Sequence, residues 1–203
     1  MLHYETIEPD LLELLNDLMS ETRLREFKLV GGTALALQIG HRKSNDIDLF
    51  SCAGFTSDSV LRILLKKYQV QLLEQLPQTL LCSIKNIRVD FIRFSYPFIR
   101  PIIEKDGIRM ASMEDIAAMK LDAIAGRGSK KDFYDLYFLL RLYDIESLLS
   151  FYKEMYPHQT TFHVVKSMVY FKDAEREPNP LVIDKKITWN KVKSFISKAI
   201  GKL

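Results

Sequence analysis

The spacing of apolar residues divides the chain into short elements. Leu11, Leu12, Leu14, Leu15, Leu18 and Met19 recur at helical intervals after Pro9, whose fixed φ suits a first helical turn. Phe27 to Val30 is a brief apolar run that stops at Gly31-Gly32, which predicts a strand ending in a tight turn. Thr33 to Ile39 then reads as a short helix with Gly40 as its stop. After the loop HRKSN, the segment DIDLF alternates polar and apolar residues strictly, the mark of a half-buried strand.

A helix is predicted from about Ser57 to Tyr68, followed by strand-like stretches at roughly 70–75, 79–85 and 87–94. Pro97 and Pro101 interrupt the chain, and Lys105-Asp106-Gly107 predicts a hairpin turn within an edge segment. From Ser112 the pattern turns helical. Ser112 with Asp115 three residues later resembles a capping box, and helices are predicted at about 113–126, 130–143, 145–156, 160–171 and 189–200. Residues 172–187, rich in proline, asparagine and charge, read as a linker. The order predicts an α+β lobe over residues 1–111 and a helical lobe over 112–203.

Composition narrows the class without naming a function. The 203 residues are 47% hydrophobic and 27% charged, as expected for a soluble globular chain, and the net charge of +3 is too small to demand an anionic partner. No basic start followed by an apolar stretch opens the chain, and no run approaches the ~20 apolar residues that cross a bilayer. Cys52 and Cys82 form no paired motif, and the four histidines lack zinc-ligand spacing, so a cytoplasmic protein with reduced thiols is expected.

The carboxylates change the picture. Asp46 and Asp48 stand two apart on a predicted strand, so both project from one face while Ile47 and Leu49 turn to the core. Two such carboxylates repel unless a cation lies between them, and oxygen-only sites suit Mg²⁺ shared with substrate phosphates. Asp90, in IRVDFIRF, points away from Val89 and Phe91; if its strand lies beside 46–50, three carboxylates converge as a two-metal phosphoryl-transfer site requires. Taken alone, D-x-D more often marks only the solvent face of an edge strand, and it is the context that reverses this reading. Upstream, the Gly31-Gly32-Thr33 turn lets backbone approach a phosphate at a helix N-terminus, with Thr33 as a hydroxyl donor or cap.

Together, GGTALALQIGHRKSNDIDLF, RVDFI and MKLDAIAGRGSKKDFYDLYFLL resemble the AbiEii/AbiGii-type nucleotidyltransferases of the DNA polymerase β-like superfamily, over about residues 25–145. The resemblance implies a polymerase β-like mixed sheet with flanking helices. It also implies phosphate-binding roles for Gly31, Gly32 and Thr33, metal roles for Asp46, Asp48 and Asp90, and active-site roles for Lys120 and Asp132. Mg²⁺ or Mn²⁺ as cofactor, a nucleoside triphosphate as substrate, tRNA or another RNA as acceptor, and a cognate antitoxin as partner follow from the same resemblance.

Periodicity bears on the helical residues independently. Lys120 falls inside the apolar stripe of Met113, Ile116, Ala117, Ala123 and Ile124, so its ammonium is expected to reach the triphosphate as a nucleotide-binding residue, or else to snorkel to water. Asp132 and Asp135 share a face with Leu136 and Leu139 and need partners, for which Lys120 and Arg127 are candidates. Asp132 reads as an orienting residue of the site, Asp135 as a fastener of the two lobes. Arg42 is either a phosphate contact or part of a solvated basic loop. The expected activity is transfer of a nucleoside monophosphate to an acceptor hydroxyl, on RNA, protein or a small molecule. A nucleotide-binding module of the same fold without turnover is the rival.

Overall fold

The computed structural model describes residues 1–203. A mixed sheet of seven strands forms its spine, with strands β1 (Lys28–Val30), β2 (Asp46–Ser51), β3 (Val70–Leu76), β4 (Thr79–Ile84), β5 (Ile87–Arg93), β6 (Ile103–Lys105) and β7 (Ile108–Met110). They lie in the order β3-β4-β5-β2-β1-β7-β6. The β2–β5 and β1–β7 pairs are parallel and the remaining pairs antiparallel. Parallel neighbours need a crossover, and the chain between β2 and β5 supplies helix α3 (Ser57–Leu64) and the β3–β4 hairpin.

The alternation DIDLFS sends Ile47 and Leu49 into the core, where both are fully buried, and leaves Asp46 and Asp48 half-buried on the other face. On β5 the same rule buries Val89 and Phe91 completely and sends Arg88 and Asp90 to the opposite face, where Arg88 is exposed and Asp90 still buried. Phe91 meets the edge of Phe27 with ring centroids 5.1 Å apart, which locks β5 against the segment entering β1.

All strands precede Ala111, and five helices follow: α4 (Met113–Gly126), α5 (Lys130–Leu139), α6 (Ile145–Met155), α7 (Thr161–Met168) and α8 (Trp189–Ile200). Ser112 caps α4, its hydroxyl accepting the Asp115 amide at 3.0 Å. Helix α4 is the hub, packing on α5, α6, α7 and on the early helix α2 (Gly31–Ile39). One buried apolar cluster runs from helix α1 (Pro9–Ser20) through the sheet to α8. Phe133, Tyr134 and Tyr137 belong to it, which accounts for the aromatic density of KKDFYDLYFLL by packing. No helix is long and apolar enough to cross a membrane.

Several element ends differ from the periodic expectation. The helices predicted to reach residues 68, 143 and 171 end at Leu64, Leu139 and Met168, each continued by turns. The larger difference lies at 172–187. This stretch folds back across the molecule, with Val182 in a β-bridge to Arg42 and the Ile183 amide bonded to the His41 carbonyl at 3.0 Å.

Truncating Phe91 to alanine removes a fully buried ring between β2, β4 and the Phe27 edge. We expect a loss of about 3–5 kcal/mol in folding free energy, read as a lowered urea midpoint with unchanged slope.

Candidate active site

Register assembles the acidic face. In the parallel β2–β5 pair, Asp48 stands opposite Asp90 and Asp46 opposite Arg88. The face therefore carries three carboxylates and one guanidinium on two adjacent strands. The Arg88 Nε donates to both Asp90 oxygens, at 3.0 and 3.1 Å, and Lys131 on α5 reaches Asp46 at 3.3 Å. Asp48 stands between them with no cation of its own. Burial and then the Asp90 charge push its carboxyl up to about 6, an effect that Lys120 only partly offsets.

The expected convergence of three carboxylates is thus realised as register neighbours and not as a closed ligand trio. No group of three His, Cys, Asp or Glu side chains is gathered tightly enough to hold a metal ion. Like charges spread apart when nothing bridges them, and Arg88 and Lys131 draw the outer two aside. The donor set nonetheless fits Mg²⁺, which takes one or two carboxylates and completes its shell with water and substrate phosphates.

The glycine turn lies against this face. Gly31 has φ of +68°, and a Cβ there would collide with the Asp48 carboxylate. A Cβ on Gly32 would collide with the Arg42 guanidinium. Both glycines therefore allow backbone to approach charged side chains at the start of α2. Thr33, expected to offer its hydroxyl to a phosphate, is fully buried; its hydroxyl bonds that of Ser44 at 2.9 Å and donates to the Asp46 backbone carbonyl. The residue fastens α2 to the start of β2, because the helix turns its third position inward.

Beneath the turn lies a buried ion network. Asp135 on α5 accepts two bonds from Arg42, at 2.6 and 2.9 Å, and one from His41 at 2.7 Å. Lys120 on α4 holds Asp135 at 2.6 Å and Asp132 at 2.8 Å, and Asp132 also accepts from Arg127 and Ser129. Burial alone would raise both aspartates. Lys120 and Arg127 override it and hold Asp132 at about 2, while Arg42 and Lys120 hold Asp135 well below its ordinary range. Burial lowers His41 despite Asp135, so the neutral ring donates from Nε2 and leaves Nδ1 buried without a partner.

Arg42 is therefore neither a solvated loop residue nor free to leave for a phosphate, although it lines the hollow above with Gly31, Asp48 and Lys120. The Lys120 ammonium finds its anions inside the protein and does not snorkel. Asp135 joins the loop before β2 to α4 and α5, as its place in the apolar stripe implied. Arg127 was expected as a partner for Asp132 and is one, whereas Arg88, Lys131 and Ser44 escaped the sequence reading. Arg88 carried a signal, since its position two residues before Asp90 on a strand puts both on one face.

The family model for the AbiEii nucleotidyl transferase toxin, of a type IV toxin–antitoxin system, matches residues 13–197. The chain belongs to this family, and the match reaches well beyond the 25–145 span of the motifs. An uncharacterized protein of Aquifex aeolicus is 38% identical over 194 residues, 93% of each chain. Among solved structures, JHP933 from Helicobacter pylori superposes with a TM-score of 0.54 at 16% identity, covering 97% of this chain and 94% of that one. MenT4, a nucleotidyltransferase toxin from Mycobacterium tuberculosis, superposes with a TM-score of 0.53 at 14% identity, covering 96% and 83%. The fold is that of these nucleotidyltransferases.

Two outcomes follow from the electrostatics. Asp48→Asn should stabilise the protein at pH 8 by about 1–3 kcal/mol and have little effect near pH 3. The sign is set by the raised carboxyl: below its ordinary value it is protonated folded and unfolded, and the cost of ionising it grows as pH rises to about 6. Asp135→Ala should cost about 3–5 kcal/mol, because Arg42 is left buried without a counter-ion and Lys120 keeps only Asp132. Denaturant titrations at the two pH values check the first, and a melting curve checks the second.

Proposed function

We propose that this member of the AbiEii family transfers a nucleoside monophosphate from a nucleoside triphosphate to an acceptor hydroxyl, releasing pyrophosphate, in a reaction that depends on Mg²⁺ or Mn²⁺. The observation that carries the reading is the in-register Asp48–Asp90 pair, with Asp46 beside it, facing the bare backbone of Gly31 and Gly32. A surface that only had to be soluble gains nothing from an uncompensated, half-buried Asp48 whose carboxyl is pushed up towards neutrality.

In this scheme Asp46 and Asp48 hold the divalent ion, with Asp90 completing its ligands from β5. When bound, the ion supplies positive charge to the triphosphate and eases loss of the acceptor's proton. The Gly31-Gly32 backbone at the start of α2 accommodates the phosphates, whose negative charge the helix N-terminus favours. Lys131 and Arg127, on the rim of the same hollow, add positive charge to the triphosphate. Asp90 accepts the proton of the attacking hydroxyl once Arg88 releases it. Lys120 and Asp132 act one layer below, as positioning residues that hold Arg42, Arg127 and the helix ends in place.

The 3′ end of tRNA is the acceptor this reading favours, and a cognate antitoxin is the expected regulatory partner; both rest on the family's character as toxins. With labelled nucleoside triphosphates, Mg²⁺ and total RNA, wild-type protein should label RNA. Asp48→Ala should lower the rate at least ~10³-fold while keeping the melting temperature at or above that of wild type. Undiminished labelling by this variant, or labelling that survives a chelator, would overturn the assignment.

A further inference from the structure

The hollow above the carboxylates, lined by Gly31, Gly32, Asp46, Asp48 and the flanking cations, has a volume of about 40 Å³. That is room for an ion and a phosphate oxygen, far short of the ~300 Å³ or more that small-molecule pockets enclose. A cleft of about 340 Å³ adjoins it and shares Arg42, Ser44, Asp46 and Lys131. A larger cavity, about 550 Å³, lies between the end of α5 and α8 and shares no residue with the acidic face. Only the adjoining cleft continues the site.

Its far wall is the stretch Glu177-Pro178-Asn179-Pro180-Leu181, which the sequence pattern assigns to a linker. The wall is held at both ends. The Leu181 carbonyl accepts the Lys43 amide at 2.8 Å, and the Glu177 carboxylate accepts the Lys130 amide, at the N-terminus of α5, at 2.8 Å. The buried Lys130 ammonium also donates to the Glu177 carbonyl. Pro178 and Pro180 fix their own φ, so little conformational freedom is left to lose on binding. Leu181 projects from this pinned backbone with 71% of its surface exposed, the one large apolar side chain in an otherwise polar cleft. Asn45 and Asn179 line the same space with carboxamides that both donate and accept.

We propose that this cleft is the nucleoside pocket of the site: Leu181 is the apolar floor under the base, and Asn45 and Asn179 read the base edge or ribose. The inference rests on the nucleotidyl-transfer reading above and adds the determinant of nucleotide choice. The geometry is that of a preformed pocket. A flat apolar base covers a Leu181 otherwise left to water, while polar groups at the rim replace the water lost from its edges. The triphosphate then runs from the shared residues Ser44, Asp46 and Lys131 toward the glycine turn.

The test is calorimetric binding of the four nucleoside triphosphates and of inorganic tripolyphosphate, with Mg²⁺, to wild type, Leu181→Ser and Asn179→Ala. Both positions are exposed, so the variants should melt with wild type. Leu181→Ser should weaken the preferred nucleoside triphosphate about five- to tenfold and leave tripolyphosphate within twofold. Asn179→Ala should compress the differences among the four bases. Nucleotide affinities unchanged in both variants would overturn the proposal. If RNA labelling then fell at saturating nucleotide, the cleft would belong to the acceptor. Wild type that binds neither nucleotide nor tripolyphosphate would instead remove the transfer reading itself.

Discussion

Four charges buried together hold the molecule in its working shape: Arg42, Lys120, Asp132 and Asp135. Two cations and two anions cancel, and every formal charge has an opposite within 3 Å. Such a group rarely stabilises a fold more than apolar packing would, because each ion must be stripped of water. Its contribution here is geometric. Asp135 can satisfy Arg42 and Lys120 together only when the loop before β2, helix α4 and helix α5 meet at fixed angles, so the cluster admits one arrangement of the sheet against the helices.

That arrangement reaches the surface through contacts with no slack. Arg42, clamped from below, sits where a Gly32 side chain would be, and Asp48 sits where a Gly31 side chain would be. Thr33 ties the first turn of α2 to the backbone of Asp46. The glycine turn and the acidic strand are consequently one piece, and the carboxylate face inherits its precision from ions that never meet solvent. The outer cations behave differently. Arg88 and Lys131 are about half exposed, so their pairs with Asp90 and Asp46 are weak, screened contacts that a more highly charged ligand displaces.

Period-two alternation in DIDLF and RVDF was enough to put Asp46 and Asp48 on one side of their strand and Asp90 opposite Val89 and Phe91 on its own, because strand geometry decides which side chains share a side. That the two strands adjoin came from the fold. The turn at Gly31-Gly32 and the pairing needs of Asp132 and Asp135 were legible for similar local reasons. Two things were not. The destination of Arg42 depends on a helix more than ninety residues later, and no spacing within HRKSN announces it. The fold-back of 172–187 is held by main-chain bonds to His41 and Lys43 and by Lys130, Trp189 and Lys193 gripping Glu175 and Glu177. No spacing within the stretch announces these partners, so composition gave it the look of a tether. Interactions written in side-chain pattern could be read; those written in backbone or in distant charge could not.

The parallel alignment of β2 with β5 also dictates when during synthesis the site can exist. Asp48 gains its neighbour only after α3 and the β3–β4 hairpin have been made, and the clamp on Arg42 waits for Asp135. The far wall arrives later still, with the segment that ends at the Arg42–Val182 bridge. A nascent polypeptide that has made only β2 thus carries Asp46 and Asp48 without Asp90 beside them or Asp135 beneath. The assembled centre can close only after residues 177–182 have been made, long after the carboxylates it surrounds.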